Sequence, residues 1–511
     1  MNVGDCIRMN ARNRPHKLAI REGEVRLTYR DLNQRVNKLA NGLLSLGIEK
    51  GRVVAIVLPD CHEHLEALFA FAKIGVVSLP IDIRLEMGEL ERTLRYFDAS
   101  GIIFFQDKLK TFLDLQDKLD KLEGRLICTG EEKAPQVISY ERLIDRSSPE
   151  EPECMADEYD PLLIGLSSGT TGPLKGALLS HRNLIFRWLG QIVEFNFNSS
   201  DVFLNVAPIQ YSAGRSFAMS HLFFGGTVII QGGRFDPLVT LKTIEQEKIS
   251  TSFMVPTMYH RILQLHELDH TDTTCLKVLI SSGAMLQASI LKEVFERFTP
   301  NLYNYFGSIE GGGVSILKPG DMLRKSGSVG QGVFNMEIRI VNEEGLEVPS
   351  GKTGEILCRG PAIAQEYYKN PEATREYFPD GWCRMGDMGR VDEEGFLYLE
   401  GRKKDMIIRG GVNIYPEEIE EILQSHPSID ESAVVGIASE EYGEEIAAFV
   451  VLKPGKVATA EEIIRHCETH LAPYKKPKIV EFPSSLPRTP SGKVLKVKLK
   501  EEYQRRKAPP G

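Results

Sequence analysis

The chain has 511 residues, 42% of them hydrophobic and 26% charged, a composition that supports about three or four core-forming units of ordinary size. Lys+Arg 62 against Asp+Glu 71 gives a net charge of -9, which argues against a general nucleic-acid binder. No apolar run approaches the roughly 18 residues of a membrane span, MNVGDCIRMNARNRP lacks the apolar centre of a secretory signal, and the eight cysteines form no CxxC pair, so reduced thiols in a cytoplasmic enzyme are expected.

Taken in order, Thr28 with Asp31 three places on predicts a capped helix whose Leu32, Val36, Leu39 and Leu43 share a face and which stops at Gly47. Val53 to Leu58 reads as a buried strand, a helix around Leu65, Leu68, Phe69 and Ala72 follows, and Val76 to Leu79 reads as the next strand. Strand, helix, strand favours a parallel sheet with crossover helices. The alternation resumes at Val202–Val206, Thr227–Ile230, Ser252–Val255, Val278–Ser281 and Leu302–Phe306, separated by helical stretches such as Pro237–Glu247 and Leu286–Phe298. From about Gly327 short strands and tight turns predict a small β unit, and beyond GRKKD, Glu417–Leu423 followed by SAVVGI predicts a fresh α+β unit. The expected fold is therefore α/β: a large N-terminal domain, 1–404, of two wound halves plus a small β unit, and a smaller α+β domain, 405–511. The basic stretch Lys493 to Lys507 reads as a solvated helix face, and APPG as a disordered end.

The stretch LSSGTTGPLKG, Leu166 to Gly176, follows an apolar run and combines hydroxyls, glycines and one lysine. Bare amides that can approach an anion make such a loop a phosphate cradle. Its order is not that of a Walker loop, because Gly172 is followed by Pro173, Leu174, Lys175 and Gly176. Alone, it is as readily a surface turn.

LSSGTTGPLKG resembles the signature loop of the AMP-forming adenylating enzymes, the superfamily of acyl-CoA synthetases, non-ribosomal peptide adenylation domains and beetle luciferases. Further blocks in the family's order, from LTYRDL at Leu27 to PRTPSGK at Pro487, extend the resemblance over nearly the whole chain. It implies that Ser167, Ser168, Gly169, Thr170, Thr171, Gly172 and Lys175 hold ATP phosphates. Lys493 matches the adenylation lysine, a cation that offsets charge in the transition state. Glu310, in FGSIEGG, matches the glutamate that holds Mg2+, although the family's tyrosine and threonine are here Phe306 and Ile309. Asp387 and Arg402 match the ribose contacts, with Met385 where the family usually has threonine. Gly283, Ala284, Asn304, Tyr305 and Phe306 match the adenine slot. Arg409, Gly410 and Gly411 match the loop along the CoA tunnel, and Asp405 the hinge about which a mobile C-terminal lid turns.

For the acid, PIQYSAG puts Tyr211 where acyl-CoA synthetases carry histidine, and Ser282, Tyr305 and the run Gly311, Gly312, Gly313 are further candidates to shape the pocket. No aspartate lies between Val206 and Phe217 to pair with an α-ammonium, so an acid without an α-amino group is favoured. The expected reaction is a two-step ligation. MgATP and the acid give an acyl-adenylate and pyrophosphate, and CoA then takes the acyl group, since the sequence after Lys493 is too short for a fused carrier domain. Two alternatives stay open: loading of a separate carrier protein, and a non-catalytic nucleotide or acyl-CoA binding relic. A homodimer is also left open.

Overall fold

A computed structural model of the chain describes residues 2–122, 125–130, 134–153, 156–167, 175–284, 286, 288–410, 412–439, 442–488 and 493–507. The described residues of 2–167, 175–338 and 358–383 form one compact unit, and those of 339–357 and 384–507 a second.

In the first unit, local signals place the elements. Thr28 caps the helix Tyr29–Ser45: its hydroxyl accepts the Asp31 N–H while the Asp31 carboxylate accepts from the Thr28 N–H. Leu32, Val36, Leu39 and Leu43 are fully buried on its inner face. The helix His62–Ile74 ends at Gly75, whose φ of 69 is the left-handed turn a side chain would strain. One sheet carries Val77–Pro80, Val53–Val57, Ala99–Phe105 and Leu126–Thr129 as parallel neighbours, with Pro161–Ser167 joining beside Val77–Pro80. Every residue of Val53–Val57 is buried, as a strand covered on both faces requires.

A second run of strands pairs Leu18–Glu22, Thr227–Ile230, Val202–Asn205, Thr251–Met254, Val278–Ser281 and Leu302–Ser308 in parallel, then turns antiparallel into Gly312–Leu317. These are two wound α/β sheets, as expected. Between them run the helices His181–Phe195 and Ser212–Phe224, whose Trp188 and Phe223 rings lie 5.4 Å apart. The expected helix over Leu286–Phe298 is shorter: Ala288–Glu293 is α-helical and Val294–Phe298 is a wider π-type turn.

In the second unit, Cys383–Val391 pairs antiparallel with Leu397–Arg402. A further sheet carries Ile407–Arg409, Val412–Ile414, Ile429–Ser439, Gly443–Leu452 and Ile479–Glu481. The helices Pro416–Gln424 and Ala460–Glu468 bury Ile419, Leu423, Ile463 and Cys467 on the face of Val434, Ile446 and Val450. The helix Lys496–Lys507 covers the other face, where Leu499 and Tyr503 pack on Ala433, Val435 and Phe449. The basic stretch is thus a packed element and not simply a solvated face. Its apolar contact is only Leu499 and Tyr503, four residues apart and flanked by Lys498, Lys500, Glu501 and Glu502, too sparse to read as periodic. The APPG end lies outside the described residues. No helix among the described residues is long and apolar enough to cross a membrane.

Candidate active site

The glycine-rich loop joins two antiparallel strands, since Ser167 ends Pro161–Ser167 and pairs with Lys175 at the start of Lys175–Ser180. Ser168, Gly169, Thr170, Thr171 and Gly172 lie outside the described residues. Lys175 Nζ lies 4.3 Å from the Tyr377 ring centre and 5.7 Å from that of Tyr367. The Tyr367 hydroxyl in turn donates to Glu310 Oε1 at 2.8 Å. Burial and the adjacent carboxylate push the Tyr367 hydroxyl well above its ordinary pKa, so it stays a donor. Tyr367 therefore bridges the two residues expected at the phosphates and at Mg2+, and it fixes one oxygen of a carboxylate suited to a hard cation.

The backbone under Glu310 is held by Arg187. Its Nε donates to Ala362 O at 2.9 Å and its Nη2 to Ile309 O and Glu310 O at 2.9 and 3.1 Å. Burial lowers this guanidinium to about 10. The Ile309 side chain, in the family's threonine position, points at Gly165, where a Cβ would come within 2.5 Å of Ile309 Cγ2. A methyl of Ile309 thus occupies space that only a glycine in the facing strand leaves open.

Tyr211 precedes the helix Ser212–Phe224 and sits in a segment gripped from several sides. Asp60 Oδ1 accepts the Ile209 N–H at 2.6 Å, and the buried Arg215 Nη1 donates to Gln210 O at 2.8 Å and Ile209 O at 3.4 Å. Burial moves both charged groups, Asp60 up to about 6 and Arg215 down to about 9. Gly214 lets the helix start against the carbonyls of Ala207 and Pro208, each 2.5 Å from where its Cβ would stand. The Tyr211 hydroxyl donates to Asp82 Oδ2 at 2.5 Å and accepts from Arg84 Nη2 at 2.5 Å. Arg84 also holds Asp82 through Nε at 3.0 Å, Nη2 at 2.8 Å and its own N–H at 2.9 Å.

The adenine candidates divide. Side chains alternate along a strand, and Tyr305 of Leu302–Ser308 packs edge-on against Phe195 at 5.6 Å and near Phe217 at 5.9 Å. Asn304 and Phe306 therefore share the opposite face. Tyr305 is turned to the helix that Tyr211 precedes, and burial raises its hydroxyl to about 12. Its oxygen lies 1.6 Å from where a Cβ on Gly313 would stand, which accounts for glycine there. Ser282, Gly283 and Ala284 follow the strand Val278–Ser281, with Gly283 at φ 90 and open to solvent like Ala284.

In the second unit, Asp387 and Arg402 are cross-strand partners whose Oδ1 and Nε are 2.7 Å apart. Met385 is buried in the same strand. Asp405 lies in the 3-10 turn Lys403–Asp405, between Leu397–Arg402 and Ile407–Arg409. Arg409 is bidentate on Glu445, at 2.7 and 3.1 Å, with Tyr442 stacked at 4.4 Å, and the Gly410 N–H donates to Tyr442 O. Gly411 lies outside the described residues. Lys493 is exposed, and directly after it Val494 bridges to Arg488 and the Leu495 N–H donates to Pro487 O at 2.8 Å. Lys496 is 2.8 Å from Glu420 and 3.8 Å from Glu417, which ties the base of that loop to the helix Pro416–Gln424.

Sequence reasoning missed Asp60, Asp82, Arg84, Arg187, Arg215 and Tyr367. Arg187 and Arg215 carried a usable signal, since each interrupts an otherwise apolar helical run, SAGRSFAM for Arg215. Asp60, Tyr367 and the Asp82–Tyr211 pair join across 57 to 149 residues of chain and carried none.

Comparison with known proteins defines the class of protein, a ligase that joins an acid to a thiol at the expense of ATP, through an acyl-adenylate. The AMP-binding enzyme family model matches residues 7–368, and the AMP-binding enzyme C-terminal domain model matches residues 418–493. The chain belongs to this family and is an AMP-forming acyl-CoA synthetase. It is 35% identical over 494 residues to a feruloyl-CoA synthase of Amycolatopsis sp, covering 96% of this chain and 97% of that one. It is 34% identical to an indoleacetate–CoA ligase of Aromatoleum aromaticum, with 97% of each covered. Among solved structures, ATP-bound MatB from Rhodopseudomonas palustris matches with a TM-score of 0.90 at 29% identity over 99% of both chains. An anthranilate CoA ligase, AuaEII, in complex with anthranoyl-AMP matches with a TM-score of 0.90 at 26% identity over 98% and 97%.

Proposed function

We propose that this synthetase acts in the cytoplasm on a carboxylic acid with an uncharged aryl or alkyl tail. An acid oxygen attacks the α-phosphorus of MgATP and pyrophosphate leaves. The CoA sulfur then attacks the acyl carbon and AMP leaves, with the thiol proton passing to solvent. Glu310 holds Mg2+, with its carboxylate anchored by Tyr367, and Lys175 with the loop from Ser167 to Gly172 takes the phosphates. Asp387 and Arg402 take the ribose, Gly283, Ala284, Asn304 and Phe306 the adenine slot, and Tyr211 and Ser282 the acyl group, with Tyr305 turned to that side instead of to adenine. Residues 405–511 turn about Asp405, so that Lys493 serves the first step and Arg409, Gly410 and Gly411 the second.

The observation that carries this reading is Tyr367, which joins Lys175 to Glu310 in one arrangement suited to phosphate and its cation. The uncharged tail is supported by the relatives named for ferulate and indoleacetate, and the absence of an acidic residue from Val206 to Phe217 speaks against an α-ammonium. Lys493→Ala tests the division of labour. Acid-dependent pyrophosphate release is expected to fall by at least a hundredfold, about 3 kcal/mol of transition-state stabilisation, while thioester formation from supplied acyl-AMP persists. Equal loss of both half-reactions would refute it. Offering CoA and a phosphopantetheinyl carrier side by side decides the acceptor.

A further inference from the structure

The knot at Tyr211 joins three residues with one net result. The Asp82 carboxylate accepts four hydrogen bonds, three from Arg84 and one from Tyr211. The Tyr211 hydroxyl has its single proton on Asp82 and a lone pair on Arg84. The guanidinium charge is therefore balanced by a carboxylate of the protein itself, and the phenol has no proton left to give.

We propose that Asp82, Arg84 and Tyr211 form the element that sets acid selectivity, admitting monocarboxylic acids with uncharged tails and rejecting acids that carry a second anionic group. This rests on the reading that Tyr211 adjoins the acyl group. A second carboxylate leaving water needs an uncompensated cation to offset its desolvation. Arg84 is compensated by Asp82, and a further anion brought here meets the Asp82 charge as well. Arg215, a second cation near Tyr211, is buried in the helix and directed to the carbonyls of Ile209 and Gln210. The native element thus favours neutral tails through the presence of Asp82, and removing that one charge shifts the balance at Arg84 toward accepting an anion. Asp82 and Arg84 act here as specificity residues for a reaction whose chemistry they do not perform.

The test compares kcat/KM for an aryl monocarboxylic acid and a dicarboxylic acid of matched length, with fixed MgATP and CoA, in wild type, Asp82→Asn, Asp82→Glu and Tyr211→Phe. Wild type is expected to prefer the monocarboxylic acid by at least tenfold. Asp82→Asn is expected to shift the ratio at least tenfold toward the dicarboxylic acid with the KM for ATP changed less than threefold. Asp82→Glu restores the wild-type ratio, and Tyr211→Phe keeps the ratio within threefold because the charge balance survives. A parallel loss with both acids in Asp82→Asn, or a wild-type preference for the dicarboxylic acid, overturns the selectivity element while leaving the ligase reading intact. Should Asp82→Asn fail to fold, an inverted ratio in Tyr211→Phe or in Asp82→Glu overturns it. Absence of pyrophosphate release with every acid overturns the ligase reading and this element with it.

Discussion

Tyr367 contributes a single hydroxyl to a site whose charges come from elsewhere, and that hydroxyl sets where Glu310 can place its oxygens. Tyr367→Phe keeps the ring beside Lys175 and removes the donor. A lost bond to a charged acceptor is worth about 1.5 to 3 kcal/mol, part of which water restores, so adenylation is expected to slow roughly threefold to thirtyfold. The Mg2+ concentration for half-maximal pyrophosphate release should rise with it; an unchanged Mg2+ curve would detach Tyr367 from metal placement. Arg187 shows the same economy with the opposite sign of charge. Its Nε and Nη2 donate to the carbonyls of Ile309, Glu310 and Ala362; Arg187→Met removes the donor from all three in a buried place, and Glu310 O keeps a second one, the Ala364 N–H. A loss of about 2 to 5 kcal/mol is expected, visible as a lower urea midpoint with an unchanged slope.

At the scale of elements, the helix Lys496–Lys507 gives a contrast within one turn. Leu499 is 2% exposed against Val435 and Phe449, so Leu499→Ala should cost about 2 to 4 kcal/mol in the second unit. Lys498, whose side chain is 56% exposed, should cost nothing measurable when changed to Ala. Equal effects of the two in thermal unfolding would show that the helix does not dock as described. These elements also show what a reader of the chain could and could not see. The helix after Thr28 was legible because its cap, its apolar face and its terminating glycine lie within 20 residues of one another. The knot at Tyr211 was not, because Asp82 and Tyr211 are 129 positions apart and follow strands of two different sheets, Val77–Pro80 and Val202–Asn205. The family blocks marked Glu310 and Asp387 as candidates, while Tyr367 stayed hidden, since a tyrosine at such a position reads as ordinary packing. The wide turn at Val294–Phe298 has no local mark either, because a helix that loosens by one residue per turn keeps its apolar pattern.

For the whole molecule, three buried imidazoles dominate the response to acid. Burial holds His64 at about 3 and His181 and His221 at about 4, all below the ordinary histidine value. The unfolded chain therefore takes up protons below about pH 6.5 that the folded chain refuses, and stability is lost as pH falls toward 4. Asp60 opposes this, since its folded value of about 6 lets the native state bind a proton first between about pH 6 and 4. Glu66, Glu417 and His62 are shifted upward and act with Asp60, whereas Asp5, Asp82 and Glu151 are shifted downward and act with the three imidazoles, so a net loss of stability from pH 7 to 5 is the expected outcome. His181 shows the cost in atoms: its Nδ1 accepts the Val3 N–H at 3.0 Å, a bond that protonation at Nδ1 abolishes. Urea unfolding at pH 7, 6 and 5 checks this, and a flat profile would contradict it.

The contact between Trp188 and Phe223 turns the protein into its own optical sensor. Trp188 is fully buried, and its ring lies against the far end of the helix that begins after Tyr211. The chain has only two tryptophans, so Trp382→Phe would leave one emitter, in a dry and apolar setting. A change in the intensity or colour of its emission would report a change at that helix end directly, without a coupled assay and without ATP.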